Sequence, residues 1–382
     1  MFFSLPTIKI EGQEYPLEMA YSTDSDIPSK LQILFKERYG SESFHFSLAT
    51  FLTEWLNNED TLCVHTSGST GKPKELWVEK QRMVNSAQAT IAFLGLQKND
   101  TALLCMPLAY IAGKMVVVRA LIGGLNLQPI PPCGHPLAQV NNIPEFAALT
   151  PMQVYNTLGV PEECQRLREV KHLIIGGGAV DRDMAATLKL FPHAVWSTYG
   201  MTETLSHIAL RRLSGENASE WYTPFDNVNV SLSPEKTLVI NAPNVCPEIL
   251  TTNDIVDFNE KGQFRIIGRK DNTINTGGIK VQIEEIENAL RQIMNIPFLI
   301  TSAPDPKFGE HIVLLVEGNE PDTTSNDLEQ KIQRAIKTLP TYWRPKSVVK
   351  VPNLPLTETG KPDRATAKRL AVSRTLHAHS NL

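Results

Sequence analysis

His65-Thr66-Ser67-Gly68-Ser69-Thr70-Gly71-Lys72-Pro73-Lys74 sets two glycines, four hydroxyl side chains and two lysines within ten residues, directly after the apolar run Leu62-Cys63-Val64. An apolar run emptying into such a segment reads as a strand followed by a tight loop. Glycine lets the backbone approach a ligand closely, hydroxyls and exposed amides donate hydrogen bonds, and lysine adds positive charge, a combination suited to a polyphosphate. It is not a Walker A loop, because Pro73 stands after Lys72 where that motif needs Ser or Thr. A Ser/Thr-rich surface turn has the same composition, so other segments decide. Trp196-Ser197-Thr198-Tyr199-Gly200-Met201-Thr202-Glu203-Thr204 mixes aromatics, hydroxyls and one carboxylate. An aromatic face stacks a base, a Thr hydroxyl bonds a phosphate, and Glu is a hard oxygen ligand for Mg²⁺. Capping of a helix turn by Thr and Glu explains the same residues. Gly176-Gly177-Gly178-Ala179 follows the apolar run Leu173-Ile174-Ile175, although a lone glycine triplet is more often a tight turn. Asp254 and Arg269 lie near turns, where such residues are usually solvated or paired, and they also suit a clamp on two ribose hydroxyls.

The elements that must position these residues alternate. Short strands are expected around Ile8–Ile10, Thr101–Pro107, Asn126–Ile130, Pro144–Leu149 and Leu173–Ile175, and helices around Lys30–Glu37, Leu48–Leu56 and Lys80–Leu94 and on the segment carrying Arg119. Strand, glycine or Ser/Thr loop, then helix, repeated, predicts an α/β fold with a mostly parallel sheet and functional loops at its strand ends. From Ser214 to Pro243 short alternating strands predict a small β-rich subdomain. Beyond Asp271 two amphipathic helices (Glu284–Ile293, Leu328–Thr338) and a strand (His311–Glu317) predict a separate small α+β domain. The expected organisation is residues 1–268, a hinge at 269–271, and residues 272–382.

Composition bounds the partners. A chain of 382 residues with 42% hydrophobic and 20% charged content buries a sizeable core. The net charge of −4 and the lack of a clustered basic run argue against nucleic acid. Five scattered cysteines without a CxxC pair argue against a disulfide framework or a zinc site and fit a reducing cytoplasm. The start, Met1-Phe2-Phe3-Ser4, has no basic flank, and Met115–Ile122 is too short and interrupted by Arg119, so neither a signal peptide nor membrane insertion is expected. The oligomeric state is left open, a homo-oligomer being compatible.

Together the segments resemble the adenylate-forming (ANL) superfamily of acyl-CoA synthetases, peptide-synthetase adenylation domains and luciferases. HTSGSTGKPK is similar to its phosphate loop, STYGMTET to its adenine and magnesium motif, TTNDIV to its ribose aspartate, IIGRKDNTINTGGIKVQIEEIE to its hinge segment, and LPTYWRPKSVVKVPNLPLTETGKPDR to its C-terminal lysine motif. The five follow the family's order from about residue 60 to 366. The resemblance implies that ATP, Mg²⁺ and coenzyme A act on a small carboxylic acid. Thr66, Ser67, Gly68, Ser69, Thr70, Gly71 and Lys74 would cradle the β- and γ-phosphates. Gly177, Gly178 and Ala179 would line the adenine pocket, and Tyr199 would stack on the base. Thr202 would touch the α-phosphate, Glu203 would hold Mg²⁺, and Asp254 with Arg269 would grip the ribose. Asp271 falls at the hinge, Gly278 beside the pantetheine tunnel, and Lys361 at the lysine that bridges substrate carboxylate and α-phosphate.

Two departures bear on the acid. The segment before the phosphate loop is shorter than is usual in the family, and Tyr110 stands where an acyl-pocket His often falls. With YIAGKMVVVRAL and GMTETLSHIALR, the chain resembles the short bacterial o-succinylbenzoate-CoA ligases of menaquinone synthesis. An aromatic dicarboxylate leaves one carboxylate unreacted, and that anion needs a cation or several donors in the pocket. Lys114, Arg119, Ser206 and His207, with Tyr110, are the candidates, while each would also serve as an ordinary paired or interior side chain. Another aryl- or acyl-CoA ligase, an amino-acid adenylating enzyme and a nucleotide-binding protein that has lost catalysis are the alternatives.

Overall fold

The computed structural model describes residues 6–22, 27–65, 75–294, 296–318, 325–357 and 362–379. The phosphate-loop segment 66–74 and Lys361 lie outside them. The chain folds into two compact units, one of residues 1–230, 240–250 and 259–264, the other of residues 231–239, 251–258 and 265–382.

The first unit opens with β1 (Thr7–Ile10) and β2 (Gln13–Pro16), then α1 (Lys30–Tyr39) and α2 (Phe44–Leu56). A hairpin of β3 (Thr61–His65) and β4 (Glu75–Glu79) precedes α3 (Lys80–Leu94). Next come β5 (Thr101–Leu104), α4 (Ile111–Gly123), β6 (Asn126–Pro129), β7 (Phe146–Leu149), α5 (Pro151–Leu158) and α6 (Pro161–Glu169). The run continues with β8 (His172–Ile175), α7 (Arg182–Lys189), β9 (Ala194–Gly200), β10 (His207–Arg212) and β11 (Thr223–Pro224). Local chemistry sets the boundaries. Ser29 and Thr150 each close a capping box with a Gln three residues on, Asp181 caps α7, and Gly95 and Gly124 end α3 and α4 in the left-handed conformation.

One nine-stranded sheet runs β11-β10-β9-β8-β7-β5-β6-β1-β2. It is parallel from β9 through β1 and antiparallel at both edges, the mostly parallel α/β sheet expected. Side chains alternate across it with the strand period of two. Ala102, Leu104, Phe146, Ala148 and Ile174 pack with residues of α1–α4, whereas Leu103, Ala147, Leu149, Leu173 and Ile175 pack with Val154, Leu167 and Leu188 of α5–α7. The result is three layers, helix on sheet on helix. Because both faces are covered, the central strands read as continuous apolar runs. Helix α4 (IAGKMVVVRALIG) is apolar nearly all round and correspondingly buried, so its two charges, Lys114 and Arg119, go inside with it.

Short strands β12 (Asn229–Leu232), β13 (Thr237–Asn241), β14 (Leu250–Phe258) and β15 (Phe264–Arg269) form a four-stranded sheet in that order. Beyond them lie β16 (Thr273–Thr276), β17 (Ile279–Gln282), α8 (Ile283–Arg291), β18 (Phe298–Asp305), β19 (Gly309–Glu317), α9 (Ser325–Thr338), β20 (Ser347–Val351) and α10 (Arg364–His379). The sheet β17-β16-β19-β18, with β20 paired to β19, again sorts its side chains by face. Ile300, Ile312 and Leu314 pack with α8 and α9, and Leu299, Val313 and Leu315 with Ala367 and Ala371 of α10. Gly277 and Gly278 make the two-residue turn between β16 and β17, both at positive φ (61° and 83°), which is why this hairpin carries glycine twice. Among the described residues no helix is long and apolar enough to cross a membrane.

Candidate active site

The nucleotide candidates of the first unit fall where strands of the parallel sheet end. Strand β8 delivers the loop 176–179, and its neighbour β9 delivers Tyr199 and then Thr202 and Glu203. A side chain on Gly176 would run into the Thr198 hydroxyl at 2.5 Å, and Gly177 sits at φ 81° with open space where a side chain would project. The loop therefore lies against β9 and leaves room above its own backbone. Tyr199 is 7% exposed, held edge-on to Phe264 (centroids 5.1 Å apart) and Tyr222 (5.9 Å). Tyr222 and Phe264 were not singled out from the sequence, yet they fix the ring. Thr202 and Glu203 open a single turn of 3-10 helix. Glu203 is exposed and accepts no hydrogen bond from the described residues. A free hard carboxylate just past β9, the strand next to the one that leads into the glycine loop, fits Mg²⁺ carried mainly by phosphate oxygens, and no group of three or more acidic, His or Cys side chains among the described residues offers an all-protein cage.

The chain then turns sharply. The Ser206 amide donates to the Thr204 carbonyl at 2.7 Å around Leu205, which is buried at φ 65° and ψ −35°. A three-residue turn of this sense is rare and strained, so the surrounding packing must hold it. It delivers Ser206 and His207 to Arg119 on α4. The Arg119 guanidinium is 2% exposed and donates to Ser206 Oγ at 2.7 Å, while its Nε is buried without a partner. No carboxylate among the described residues pairs with it. Burial pushes Arg119 down to about 10, still charged near neutrality. His207 is buried as well, with Nε2 3.0 Å from Thr90 Oγ1 and Nδ1 3.2 Å from Ser206 Oγ. Burial, and then the adjacent Arg119 charge, hold it well below the ordinary imidazole range. An isolated buried guanidinium is costly, and an arriving anion would offset that cost.

The other acid candidates stand apart from this cluster. Lys114 Nζ donates to Glu54 at 3.0 Å and to the Cys63 carbonyl at 3.2 Å and lies over the Phe51 ring, so its charge is already balanced. Tyr110 is exposed at the N-cap of α4. Thr90, wholly buried on α3, is the participant sequence reasoning missed. The signal was there, since Ser86 and Thr90 stand four residues apart on the apolar face of that helix.

In the second unit, Arg269 donates from one nitrogen to Asp254 (3.1 Å) and from the other to Asp271 (2.9 Å), and Asn253 adds a bond to Asp271 at 3.2 Å. Burial alone would lower the Arg269 guanidinium. The bonds and charges of Asp271 and Asp254 outweigh it and hold the group above its ordinary value. Asp254 and Arg269 thus stand preassembled, an acceptor carboxylate beside a fixed donor fork, which is what a ribose diol requires. Gly278 occupies the open tip of its hairpin.

An α/β sheet with a nucleotide-type loop at its strand ends defines the class, and the sequence agrees: the chain belongs to the AMP-binding enzyme family, whose model matches residues 11–251. Among solved structures it is 30% identical to an AMP-forming acyl-CoA synthetase/AMP-acid ligase II-like protein from Dyadobacter fermentans, covering 86% of this chain and 95% of that one at a TM-score of 0.59. Among curated relatives it is 27% identical to the probable 2-succinylbenzoate–CoA ligase of Mycobacterium tuberculosis, over 83% of this chain and 86% of the relative. It shares its fold with the o-succinylbenzoate CoA synthetase of Bacillus subtilis solved with the acyl-adenylate intermediate OSB-AMP, at a TM-score of 0.66, 19% identity, and coverage of 80% and 68%.

Proposed function

We propose that the protein is an ATP-dependent acid–thiol ligase that turns a carboxylate into an acyl-adenylate and then into a coenzyme A thioester, releasing pyrophosphate and AMP. Its acid is o-succinylbenzoate, which places it in menaquinone synthesis. A carboxylate is a poor acyl donor because oxide would have to leave, so it attacks the α-phosphorus of ATP first. Two anions meet in that step, and Lys361 with the donors of Thr66–Gly71 and Lys74 offset their repulsion. Glu203 would hold Mg²⁺, which when bound would neutralise charge on the pyrophosphate oxygens. Thr202 orients the α-phosphate, Gly177–Ala179 and Tyr199 hold the adenine, and Asp254 with Arg269 holds the ribose. Thiol attack then requires Lys361 to withdraw, for which residues 269–271 serve as the pivot between domains 1–268 and 272–382 and Gly278 borders the thiol's approach.

The observation that carries the choice of acid is Arg119, a buried guanidinium bonded to Ser206 beside a neutral His207, with no carboxylate of its own among the described residues. Such a group suits the carboxylate that does not react. The test is a panel of acids scored for AMP formation with and without coenzyme A. o-Succinylbenzoate should outcompete benzoate and medium-chain fatty acids in pyrophosphate release, and preference for a fatty acid would discard the assignment.

A further inference from the structure

The hydrogen bonds around Arg119 form a chain in which one arrangement gives every linking proton an acceptor among the described residues. Thr90 Oγ1 lies 3.1 Å from the Ser86 carbonyl and 3.0 Å from His207 Nε2, so its proton has two acceptors in reach and the Ser206 hydroxyl decides between them. Were Thr90 to donate to Nε2, the ring proton would sit on Nδ1 and the Ser206 hydroxyl would lose its acceptor among the described residues; with Thr90 donating to Ser86, Nε2 carries the imidazole proton and donates to Thr90. A neutral ring leaves Nδ1 bare, so at 3.2 Å Nδ1 accepts the Ser206 hydroxyl proton, while the Ser206 lone pairs accept from Arg119 at 2.7 Å. In this arrangement each proton that links Arg119, Ser206, His207, Thr90 and Ser86 has an acceptor. Among the described residues Phe225 also meets the ring, edge-on at 5.4 Å, and the charge facing His207 is that of Arg119.

We propose that Thr90 is a positioning residue for acid recognition: by fixing His207 as its Nε2–H tautomer it aims the Ser206 proton inward and keeps the Ser206 lone pairs on Arg119. The guanidinium is thereby held in one orientation, with its remaining N–H groups left as donors for the unreacted carboxylate. Thr90→Val keeps the side-chain shape and removes the acceptor. The ring proton then moves to Nδ1, competes with Arg119 for the Ser206 oxygen, and loosens the guanidinium. Thr90→Ser restores the acceptor. This inference rests on the proposed acid-ligase reading.

Side-chain ¹⁵N spectra of histidine-labelled full-length protein, with His207 assigned by its loss in His207→Gln, report the tautomer directly. The expected result is Nε2–H in the wild type and Thr90→Ser, and Nδ1–H in Thr90→Val. The KM for o-succinylbenzoate should rise about fivefold to tenfold in Thr90→Val, the worth of one buried hydrogen bond, with kcat and the KM for ATP unchanged and Thr90→Ser close to wild type. An Nδ1–H tautomer in the wild type overturns the proposal even if Thr90→Val does not fold. So does an unchanged acid KM in a variant whose tautomer has moved. A wild type that adenylates no carboxylic acid removes both the activity reading and the recognition role, and the tautomer spectra tell that failure apart from an error in the network.

Discussion

Replacing Arg119 by methionine removes a guanidinium that is 2% exposed, bonded through one nitrogen to Ser206, and without a partner at Nε. The magnitudes nearly cancel in the ligand-free protein. Lowering the group from its ordinary value to about 10 corresponds to about 3 kcal/mol of cost to the charged form. The charge-assisted bond to Ser206 returns about 1.5–3 kcal/mol. Methionine fills similar length with apolar atoms, so unfolding free energy should stay within about 1 kcal/mol of the wild type or rise. A guanidinium serving the fold as half of a buried ion pair would instead cost about 3–5 kcal/mol when lost. Catalysis should respond the other way. Losing a desolvated charge partner of the bound carboxylate costs about 2–5 kcal/mol, which lowers kcat/KM for o-succinylbenzoate by about thirtyfold or more. Turnover of benzoate, which lacks the second carboxylate, should change by no more than about threefold. Urea denaturation and pyrophosphate release measure the two halves. A stability loss of about 3 kcal/mol or more with equal losses on both acids would refute the reasoning and make Arg119 a residue of the fold.

Two further outcomes are expected. His207 is held neutral in the folded protein by burial and by Arg119, whereas in the unfolded chain it takes up a proton at an ordinary value. Its contribution to stability is therefore complete above about pH 6.5 and is lost at about 1.4 kcal/mol per pH unit as pH falls toward the depressed folded value. His207→Gln should shrink the stability difference between about pH 7.5 and about pH 5.5 by about 1 kcal/mol, and an undiminished difference would show that the imidazole is not held neutral. In the second unit Glu287, 2% exposed, takes two bonds from Arg364 (2.6 and 2.8 Å) and one from the Ile300 amide (2.9 Å). Arg364→Ala removes the close ionic partner, leaving that carboxylate the Ile300 amide and Arg291 at 3.5 Å, and should cost about 3 kcal/mol in denaturation, with Arg364→Lys recovering only part because the two-pronged geometry is lost. A change under about 1 kcal/mol would mean the pair is solvated in practice.

Much of the molecule was legible in the chain alone. The α/β class and the parallel sheet followed from apolar runs ending in glycine and hydroxyl loops, because strand and loop chemistry are local and written in order, and the family from the resemblance of five motifs in sequence order. The caps at Ser29, Thr150 and Asp181 are equally local, although they were not singled out from the sequence. The pairing of Arg119 with Ser206 is another matter. It joins positions 87 residues apart, and only the packing of α4 against the strained turn at Leu205 brings them together. Sequence likewise ranked Lys114 beside Arg119, since both are cations on one helix. The tertiary structure separated them by giving Lys114 a carboxylate and Arg119 none among the described residues. Residue type determines what a side chain can do, but whether its charge is already answered depends on which neighbours the fold brings within reach.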